Sequence, residues 1–289
     1  MNVVISGASG FIGKTLMMYL KSNGHEPISI SRSELLFENN RKLVEKINGA
    51  DAIINLSGSS ISKRWTKKNK VEIYQSRINT TRNIVEAIIK CEKRPSILIN
   101  ASAIGIYDDI HCHDEESKYL ASTYLGKVVM DWERASRTAL EYGVSVSILR
   151  FGIVLGKNGG ILKKMLPLFR MGLGGKIGNG KQFFSFIHID DLIQIINQIL
   201  IRKLPQNTYN VVCPDENTNE DFTRKFADVL HVPAFLSIPS FAFNILYGEG
   251  ATVFIGGQNA KPTRLIENGF HFKYPTLIQA LENILKKTE

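Results

Sequence analysis

The sequence contains few cysteines and no long apolar run. Its 289 residues include three cysteines, Cys91, Cys112 and Cys213, which are scattered and odd in number. They form neither a disulfide framework nor a metal-ligand spacing, as is typical of proteins in a reducing cytoplasm. No run of about eighteen apolar residues is present, and glycines interrupt the apolar N-terminus, so we expect neither a membrane span nor a signal peptide. We therefore predict a cytoplasmic protein without a metal site and without a membrane partner.

The composition excludes several classes of protein. Apolar residues make up 44% of the chain, charged residues 22%, and the mean hydropathy is −0.05. These values exclude collagen-like, coiled-coil and wholly disordered chains, and the length suffices for two domains with a sizeable core. The net charge of +9 is compatible with nucleic acid, an anionic small ligand or solubility alone. The densest basic run, Lys63–Lys70, has no recognised nucleic-acid module beside it, so we predict no nucleic-acid partner.

Strand and helix patterns alternate through the first half of the chain. Short apolar runs are followed by stretches in which apolar residues recur with the helical period. This alternation is typical of a parallel, doubly wound sheet with helices on both faces. We predict strands at Asn2–Ser6, Glu26–Ile30, Asp51–Asn55, Ser96–Asn100 and Val144–Leu149, and helices at Phe11–Ser22, Lys42–Ile47, Val71–Lys90 and Val128–Tyr142.

The second half of the chain is less regular. Glycine pairs surround a helical patch at Leu162–Arg170, and a further helix and strand are predicted at Ile189–Ile201 and Tyr209–Val212. We predict a Rossmann-type α/β fold in two domains. Residues 1–151 form an NADP-binding domain, to which residues 186–213 return. Residues 152–185 and 214–289 form a smaller, mostly helical substrate domain.

A glycine-rich turn follows the first predicted strand. Its sequence is Gly-Ala-Ser-Gly-Phe-Ile-Gly over residues 7–13, between a strand and a helix. Glycines let the backbone approach a pyrophosphate, whose charge then meets free N–H groups at a helix N-terminus. The alternative is a plain strand-to-helix turn. We predict cofactor contacts from Gly7, Ser9, Gly10, Phe11 and Ile12.

The chain resembles the extended short-chain dehydrogenase/reductase superfamily, the group of nucleotide-sugar epimerases and dehydratases. The motifs that carry the resemblance are the turn at residues 7–13, NLSG at 55–58, SAIGIY at 102–107, LRFGIVLG at 149–156 and FIHIDDL at 186–192. Arg64-Trp65-Thr66, Ser76-Arg77 with Thr80-Thr81, and the tail at 269–275 are similar to an atypical epimerase-like branch. That branch carries its own C-terminal domain and includes members labelled as cell-division inhibitors. The resemblance implies a Rossmann fold and a nicotinamide cofactor.

The end of the second strand indicates which cofactor is bound. An NAD enzyme needs an acidic residue there for the ribose 2′-hydroxyl, whereas this chain has Ser31 and Arg32. A guanidinium pairs with a 2′-phosphate, so NADP(H) is favoured, although Arg32 pointing to solvent is the alternative. The resemblance places Leu56, Ser57 and Gly58 beside the adenosine. It also suggests Arg77 as a cofactor contact, against an ordinary exposed arginine.

The catalytic pattern of the superfamily is displaced here. Active members have a serine near the fourth strand and Tyr-x-x-x-Lys on the next helix, where lysine lowers the tyrosine pKa for proton exchange. This chain has Tyr124 and Lys127 at i, i+3, and alignment on the downstream Trp-Glu places Leu125 and Val129 in the expected slots. Ser102 lies one residue before the serine position. Either these three residues, Ser102, Tyr124 and Lys127, are catalytic, or the machinery is lost.

A glycine-rich segment at residues 172–180 resembles the part that closes over substrate in this branch. Arg170, Lys181 and Gln182 offer donors to an anionic or polyhydroxy ligand, and we count Tyr107 with them as substrate contacts. The alternative is a long connecting loop. We expect His188 to be structural, with Asp190 or Asp191 capping the helix that follows.

These patterns lead to two functional hypotheses. The first is an NADP(H)-binding, epimerase-like oxidoreductase acting on a small hydroxylated or carbonyl substrate, nucleotide sugars included, as a monomer or homodimer. The alternative is a catalytically degenerate NADPH-binding regulator or sensor. The displaced tyrosine, lysine and serine favour the second hypothesis, whereas the glycine-rich closing segment favours the first.

Overall fold

A six-stranded parallel sheet forms the centre of the protein. The computed structural model describes residues 1–36, 38, 40–157 and 159–285, so Asn158 and residues 286–289 of the predicted smaller domain lie outside it. The strands are β1 (Asn2–Ser6), β2 (Glu26–Ile30), β3 (Ala52–Asn55), β4 (Ile97–Ala103), β5 (Cys112–His113), β6 (Ser145–Phe151), β7 (Ile153–Leu155), β8 (Gly175–Ile177), β9 (Phe186–His188), β10 (Thr208–Val211), β11 (Leu236–Ile238) and β12 (Asn259–Ala260). The central sheet has the order β10-β6-β4-β3-β1-β2, and every neighbouring pair is parallel.

Helices connect these strands. They are α1 (Phe11–Ser22), α2 (Asn40–Ile47), α3 (Lys67–Lys90), α4 (Tyr124–Arg137), α5 (Leu162–Arg170), α6 (Ile189–Leu200), α7 (Asn219–Leu230), α8 (Ser240–Tyr247), α9 (Thr252–Ile255), α10 (Thr263–Glu267) and α11 (Leu277–Leu285). Short 3₁₀ segments lie at 104–106, 138–142 and 248–251. The predicted doubly wound α/β fold is confirmed.

The two faces of the sheet bury different side chains because successive residues of a strand point in opposite directions. Val3 and Ile5 of β1 pack in one core with Leu16 of α1 and Leu192 of α6. Val4 packs in another core with buried residues of α2 and α3, Leu43 and Ile84 among them. Helices therefore cover both faces, as the near-continuous apolar strands require.

The strand order reverses at β1. From this central strand the chain proceeds to β2 on one side and, after α2, to β3 on the other side. In open parallel sheets, the crevice outside the carboxyl ends of the strands at such a reversal is where ligands bind. The turn at residues 7–13 lies at this position.

Two-stranded pairs and short helices build the rest of the molecule. β7 pairs with β9, β8 with β11, and β12 with β5. A third core holds phenylalanines of α5 and α7 together with α11, and Phe169, Phe222 and Phe226 are fully buried there. Leu265 and Phe270 of the C-terminal part pack instead in the first core, against the central sheet. The division into two domains stays a prediction.

The start of α6 differs from our expectation. The backbone N–H of Asp190 donates to Nδ1 of His188, 3.1 Å away, so His188 itself caps the helix. The carboxylate of Asp191 accepts from the backbone N–H groups of Lys273 (2.7 Å) and Tyr274 (3.1 Å). The prediction that Asp190 or Asp191 is the cap was wrong, because Asp191 is buried and holds the C-terminal segment against α6.

Candidate functional site

The glycine turn brings the backbone of β1 against the end of β3. Gly7 has φ +74°, and a Cβ atom there would lie 2.7 Å from the carbonyl oxygen of Leu56. A Cβ atom at Gly13 would lie 2.3 Å from the carbonyl oxygen of Gly7. Gly10 is the N-cap of α1 and supplies no side-chain acceptor to the first turn. The N–H groups of that turn are thus available to an anion, which the helix dipole also favours.

The other turn residues take different positions. Ser9 and Gly10 are exposed and line the cleft beside the turn. Phe11 and Ile12 pack their side chains against the first core. The ring of Phe11 also packs against Gly156 and Gly159, which follow β7. A Cβ atom at Gly159 would lie 2.2 Å from this ring. Contacts from Phe11 and Ile12 to a ligand would therefore come from their backbone.

The carboxyl end of β2 presents a cation to the cleft. The Arg32 side chain is 85% exposed, lines the cleft with Ser31, and lies 3.7 Å from the carboxylate of Glu72. Glu34 is turned away, accepting from the backbone N–H (2.7 Å) and hydroxyl (2.6 Å) of Ser31 and pairing with Lys46 at 2.7 Å. Hydrogen bonds from Lys46 and Ser31 lower the pKa of Glu34 to about 2. Its negative charge is thus already neutralised.

A large cleft of about 1560 Å³ lies between these segments and α3. Polar residues of α3 line it at alternating steps of four and three, which places them on one helical face. They are Lys68, Glu72, Gln75, Asn79, Arg82 and Glu86. Sequence reasoning missed this stripe, because a polar face at helical spacing is equally typical of a solvent-exposed helix. Lys14 of α1 is a further cleft residue that we did not predict.

The segment after β3 lines the cleft and contacts a half-buried arginine beside it. Leu56, Ser57 and Gly58 line the cleft, and a Cβ atom at Gly58 would lie 3.0 Å from Cζ of Arg77. The guanidinium donates to the carbonyl oxygens of Ile73 (3.2 Å) and Ser59 (3.1 Å). Burial lowers the pKa of Arg77 to about 10. In the described part of the chain, no carboxylate forms an ion pair with it.

Tyr124 and Lys127 do not meet in the structure. The hydroxyl of Tyr124 donates to the carbonyl oxygen of Lys70 on α3 at 2.5 Å, and its ring packs edge-on against Trp65 at 5.4 Å. Lys127 is exposed, and among the described residues no hydrogen bond or ion pair joins its side chain to Tyr124. The cations near the phenol are Lys70, 5.1 Å from the ring centre, and Arg77. Burial raises the pKa of Tyr124, although Arg77 opposes the shift.

Ser102 lies in a buried polar network. Its hydroxyl donates to Oε1 of Glu133 at 2.7 Å, and Arg150 pairs with both oxygens of that carboxylate at 2.8 and 2.9 Å. Arg150 also donates to the hydroxyl of Tyr107 at 2.7 Å, which in turn donates to Asn210 at 2.8 Å. Neither Ser102 nor Tyr107 lines the cleft, and both are buried. Their polar atoms are engaged inside the protein.

The predicted substrate residues lie around β8. Arg170 at the end of α5 and Lys181 are exposed, whereas Gln182 is half-buried and donates to the carbonyl oxygen of Ile177 at 3.2 Å. The backbone carbonyl of Gln182 accepts from Asn219 of α7 at 2.9 Å. The segment 172–180 is tied to β11 through β8 and to α7 through the carbonyl of Gly180, which accepts from the backbone N–H of Glu220 at 2.9 Å. Arg170 and Lys181 flank the segment.

Comparison with known proteins assigns the chain to a family. The sequence profile of the "NAD dependent epimerase/dehydratase family" matches residues 3–212. The chain belongs to this family. Residues 238–284 match a second profile, described as "Domain of unknown function (DUF1731)". The resemblance inferred from the motifs is thus confirmed, including the separate C-terminal region.

Individual relatives extend over the whole chain. "Epimerase family protein SDR39U1 homolog, chloroplastic" of Arabidopsis thaliana is 35% identical over 99% of this chain and 87% of its own length. The crystal structure of "human epimerase family protein SDR39U1 (isoform2) with NADPH" is 31% identical, with a TM-score of 0.90, over 98% of this chain and 99% of the human one. A UDP-N-acetylglucosamine 4-epimerase from Bacillus cereus is 18% identical over 98% of both chains, with a TM-score of 0.77, and therefore shows the fold alone.

Proposed function

We propose that this epimerase/dehydratase family member binds NADPH in the cleft and reduces a small carbonyl substrate, or oxidises the corresponding alcohol. The observation that carries the proposal is the cation at the end of β2, where Arg32 faces the cleft and the nearby carboxylate of Glu34 is paired with Lys46. A free carboxylate there would favour the 2′-hydroxyl of NAD, whereas a guanidinium favours the 2′-phosphate. The human relative that contains NADPH supports this assignment.

The residues of the cleft fit a dinucleotide. Because Gly7 and Gly58 lack a Cβ atom, the backbone of Leu56 and the guanidinium of Arg77 pack directly against them at the end of the sheet. The first turn of α1 offers N–H groups to a diphosphate. Half-buried Arg77 donates to two backbone carbonyls and has no carboxylate partner in the described part of the chain, so an anionic ligand in the adjoining cleft would supply a countercharge. The polar stripe of α3 forms the opposite wall.

Tyr124 is the residue we propose for proton transfer. NADPH supplies the hydride when it is bound. Burial raises the pKa of Tyr124, so the phenol stays protonated at neutral pH and can donate to a substrate oxygen. Lys70 and Arg77 are the cations beside Tyr124. They stand in for the lysine of the Tyr-x-x-x-Lys pattern, which in the superfamily lies on the same helix as the tyrosine. The hydroxyl exchanges its bond to the carbonyl of Lys70 for one to the substrate.

The regulator hypothesis has its own support. The hydroxyl of Ser102 is bound to Glu133, and Lys127 is exposed and apart from Tyr124, so two of the three predicted catalytic groups are not assembled with Tyr124. In this second function, the chain binds NADPH tightly and transmits cofactor binding to a partner without turnover.

One experiment with two measurements tests the proposal. NADPH binding is followed by cofactor fluorescence for wild type, Arg32→Ser and the control Arg41→Ser, an exposed arginine on α2 that pairs with Glu45. We expect Arg32→Ser to weaken NADPH about tenfold or more and to leave NADH unchanged, since a charge-assisted hydrogen bond contributes about 1.5–3 kcal/mol. NADPH oxidation is then measured on a panel of aldehydes, ketones and 4-keto nucleotide sugars.

For turnover, Tyr124→Phe is compared with Tyr119→Phe, a change in an exposed loop. We expect the first variant to lose at least a hundredfold in kcat while it retains NADPH affinity, because general acid catalysis contributes about 10²–10⁴-fold. Equal NADPH affinity in the Arg32 and Arg41 variants would overturn the cofactor assignment. Tight NADPH binding without turnover on any panel member would favour the regulator.

A further inference from the structure

Two long segments of this chain lack acidic residues. Between Glu141 and Asp190 there are seven lysines and arginines and no aspartate or glutamate. Between Asp228 and Glu249 there is no lysine, arginine, aspartate or glutamate, and four phenylalanine or tyrosine residues lie there with several aliphatic ones. Neither segment supplies a residue to the nucleotide cleft.

The structure brings these segments together. β8 and β11 pair in parallel, with Gly175 opposite Leu236 and Ile177 opposite Ile238. The backbone N–H of Gly178 donates to the carbonyl of Ile238 at 2.9 Å. The end of α5, which leads into β8, therefore lies beside the residues that precede β11, and α8 follows at the other end of the same short ladder.

Large apolar side chains project into solvent along this pairing. Helix α8 has no buried residue. The side chains are Phe235 (82% exposed), Leu246 (65%), Phe241 and Ile245 (both 64%), Met171 (62%), Leu173 (53%) and Leu168 (45%). We name these seven residues the apolar surface. Exposed apolar side chains concentrated in one region of a protein mark a site of interaction with another molecule or a lipid bilayer.

Cations lie along α5 beside the apolar surface, whereas Glu249, just after α8, is paired with Lys70. Lys164 lies four residues before Leu168 and seven before Met171, so the three share one exposed face of α5. Within the described residues, none of Lys163, Lys164 and Arg170 forms an ion pair, whereas Lys176 is paired with Glu220. A second copy of the chain docked through the same surface would bring these like charges together.

We propose that the apolar surface, with Lys163, Lys164 and Arg170, binds peripherally to an anionic lipid bilayer. Exposed phenylalanine, leucine and methionine side chains enter the interface between headgroups and acyl chains, and each lysine or arginine near an anionic bilayer adds attraction. No helix in the described part of the chain is long and apolar enough to span a bilayer. Our expectation of no membrane partner rested on the lack of a span, and interfacial binding needs none.

Sedimentation with vesicles tests the proposal. The full chain is mixed with vesicles of phosphatidylcholine alone, or of phosphatidylcholine and phosphatidylglycerol in equal parts, at low and at high salt. We expect binding to the anionic vesicles only, and less of it at high salt because the Debye length shortens. Phe235→Ser combined with Phe241→Ser lowers the partition coefficient about tenfold or more. Lys163→Gln combined with Lys164→Gln lowers it by about tenfold as well.

Matched controls remove similar side chains elsewhere. Ile110→Ser takes an exposed apolar residue from a distant loop, and Lys42→Gln combined with Lys93→Gln removes two exposed charges. Both controls should bind like wild type. The proposal is overturned if wild type stays in the supernatant with anionic vesicles, or if the controls lose as much binding as the paired variants. It is also overturned if sedimentation velocity shows a dimer that the paired phenylalanine variant converts to a monomer, because a second copy then covers the surface.

Discussion

At the scale of single residues, the site depends on backbone positions that only glycine can take. Gly7 combines a positive φ of +74° with a contact in which any Cβ atom would lie 2.7 Å from the carbonyl oxygen of Leu56. Gly24 has nearly the same φ, +76°, and nothing within 4 Å of the corresponding Cβ position. Alanine at either position has the energetic cost of a left-handed backbone, but only alanine at Gly7 also clashes with the end of the neighbouring strand β3. Comparing the two variants therefore separates these two costs.

We predict that Gly7→Ala abolishes measurable NADPH binding and that Gly24→Ala leaves it intact. Both variants lose about 1–2 kcal/mol of unfolding free energy from the left-handed conformation. Gly7→Ala loses more, since β1 and β3 must separate at the point where the cofactor would bind. Urea unfolding and cofactor fluorescence measure the two quantities. If Gly24→Ala weakened NADPH as much as Gly7→Ala, the close approach would not explain the effect.

The same scale shows what the sequence could predict. Gly7, Ser9 and Gly10, for which we predict cofactor contacts, line the cleft. The sequence could point to them because the signal is local: a strand, a glycine turn and a helix within about twenty residues. The partner of Ser102 is Glu133, and that of Tyr107 is Arg150. These partners lie 31 and 43 residues away in sequence. No local pattern indicates whether such a hydroxyl points to a cleft or to a buried ion pair.

At the scale of elements, a buried ion pair joins β4, β6 and α4. Glu133 of α4 accepts from Arg150 of β6 and Ser102 of β4, and Arg137 lies 3.5 Å away. Burial alone would raise the pKa of Glu133, but hydrogen bonding and attraction from Arg150 outweigh it, so the pKa is lowered from its ordinary 4.5. The network fixes α4, which carries Tyr124, against the carboxyl ends of two central strands.

We predict that Glu133→Gln lowers the unfolding free energy by about 3–5 kcal/mol, because Arg150 is left buried without a countercharge. The control Glu45→Gln, in an exposed pair with Arg41, changes it by about 0.5 kcal/mol or less. Since the folded pKa of Glu133 is depressed, its contribution is complete above about pH 4.5 and is lost as the pH falls through the folded value. Chemical denaturation is measured from about pH 3 to about pH 7, a range that spans the ordinary pKa of glutamate. The difference in unfolding free energy between Glu133→Gln and wild type should shrink at the acid end. A difference that stayed constant with pH would contradict this account.

The sequence predicted the central sheet but not the role of α3. The alternation of strands and helices predicted the sheet, since strands buried on both faces have a distinct apolar pattern. The role of α3 could not be predicted in this way. Its polar stripe from Lys68 to Glu86 lines the cleft, but the same pattern describes a helix facing water. Only the position of α3 beside β2 distinguishes the two.

At the scale of the molecule, the C-terminal part and the nucleotide-binding part share a core. Leu265 and Phe270 pack with Val3 and Ile5 of β1, and Asp191 of α6 accepts from the backbone of the C-terminal segment. Glu115 accepts from the backbone N–H groups of Asn210 and Arg264, which joins β10 to α10. Because neither part can lose its packing without exposing the core of the other, the two should unfold together.

We therefore predict one calorimetric transition for the whole chain, and a rise of that transition with NADPH. A ligand at a hundred times its Kd stabilises the folded state by about 2.7 kcal/mol. With an unfolding entropy of about 2.1 cal/mol/K per residue, this corresponds to a Tm increase of about 4–5 °C. The Arg32→Ser variant should need about tenfold more NADPH for the same increase, whereas Arg41→Ser should match wild type. Two separate transitions, of which NADPH shifts only one, would show that the shared core of Val3, Ile5, Leu265 and Phe270 does not couple the two parts.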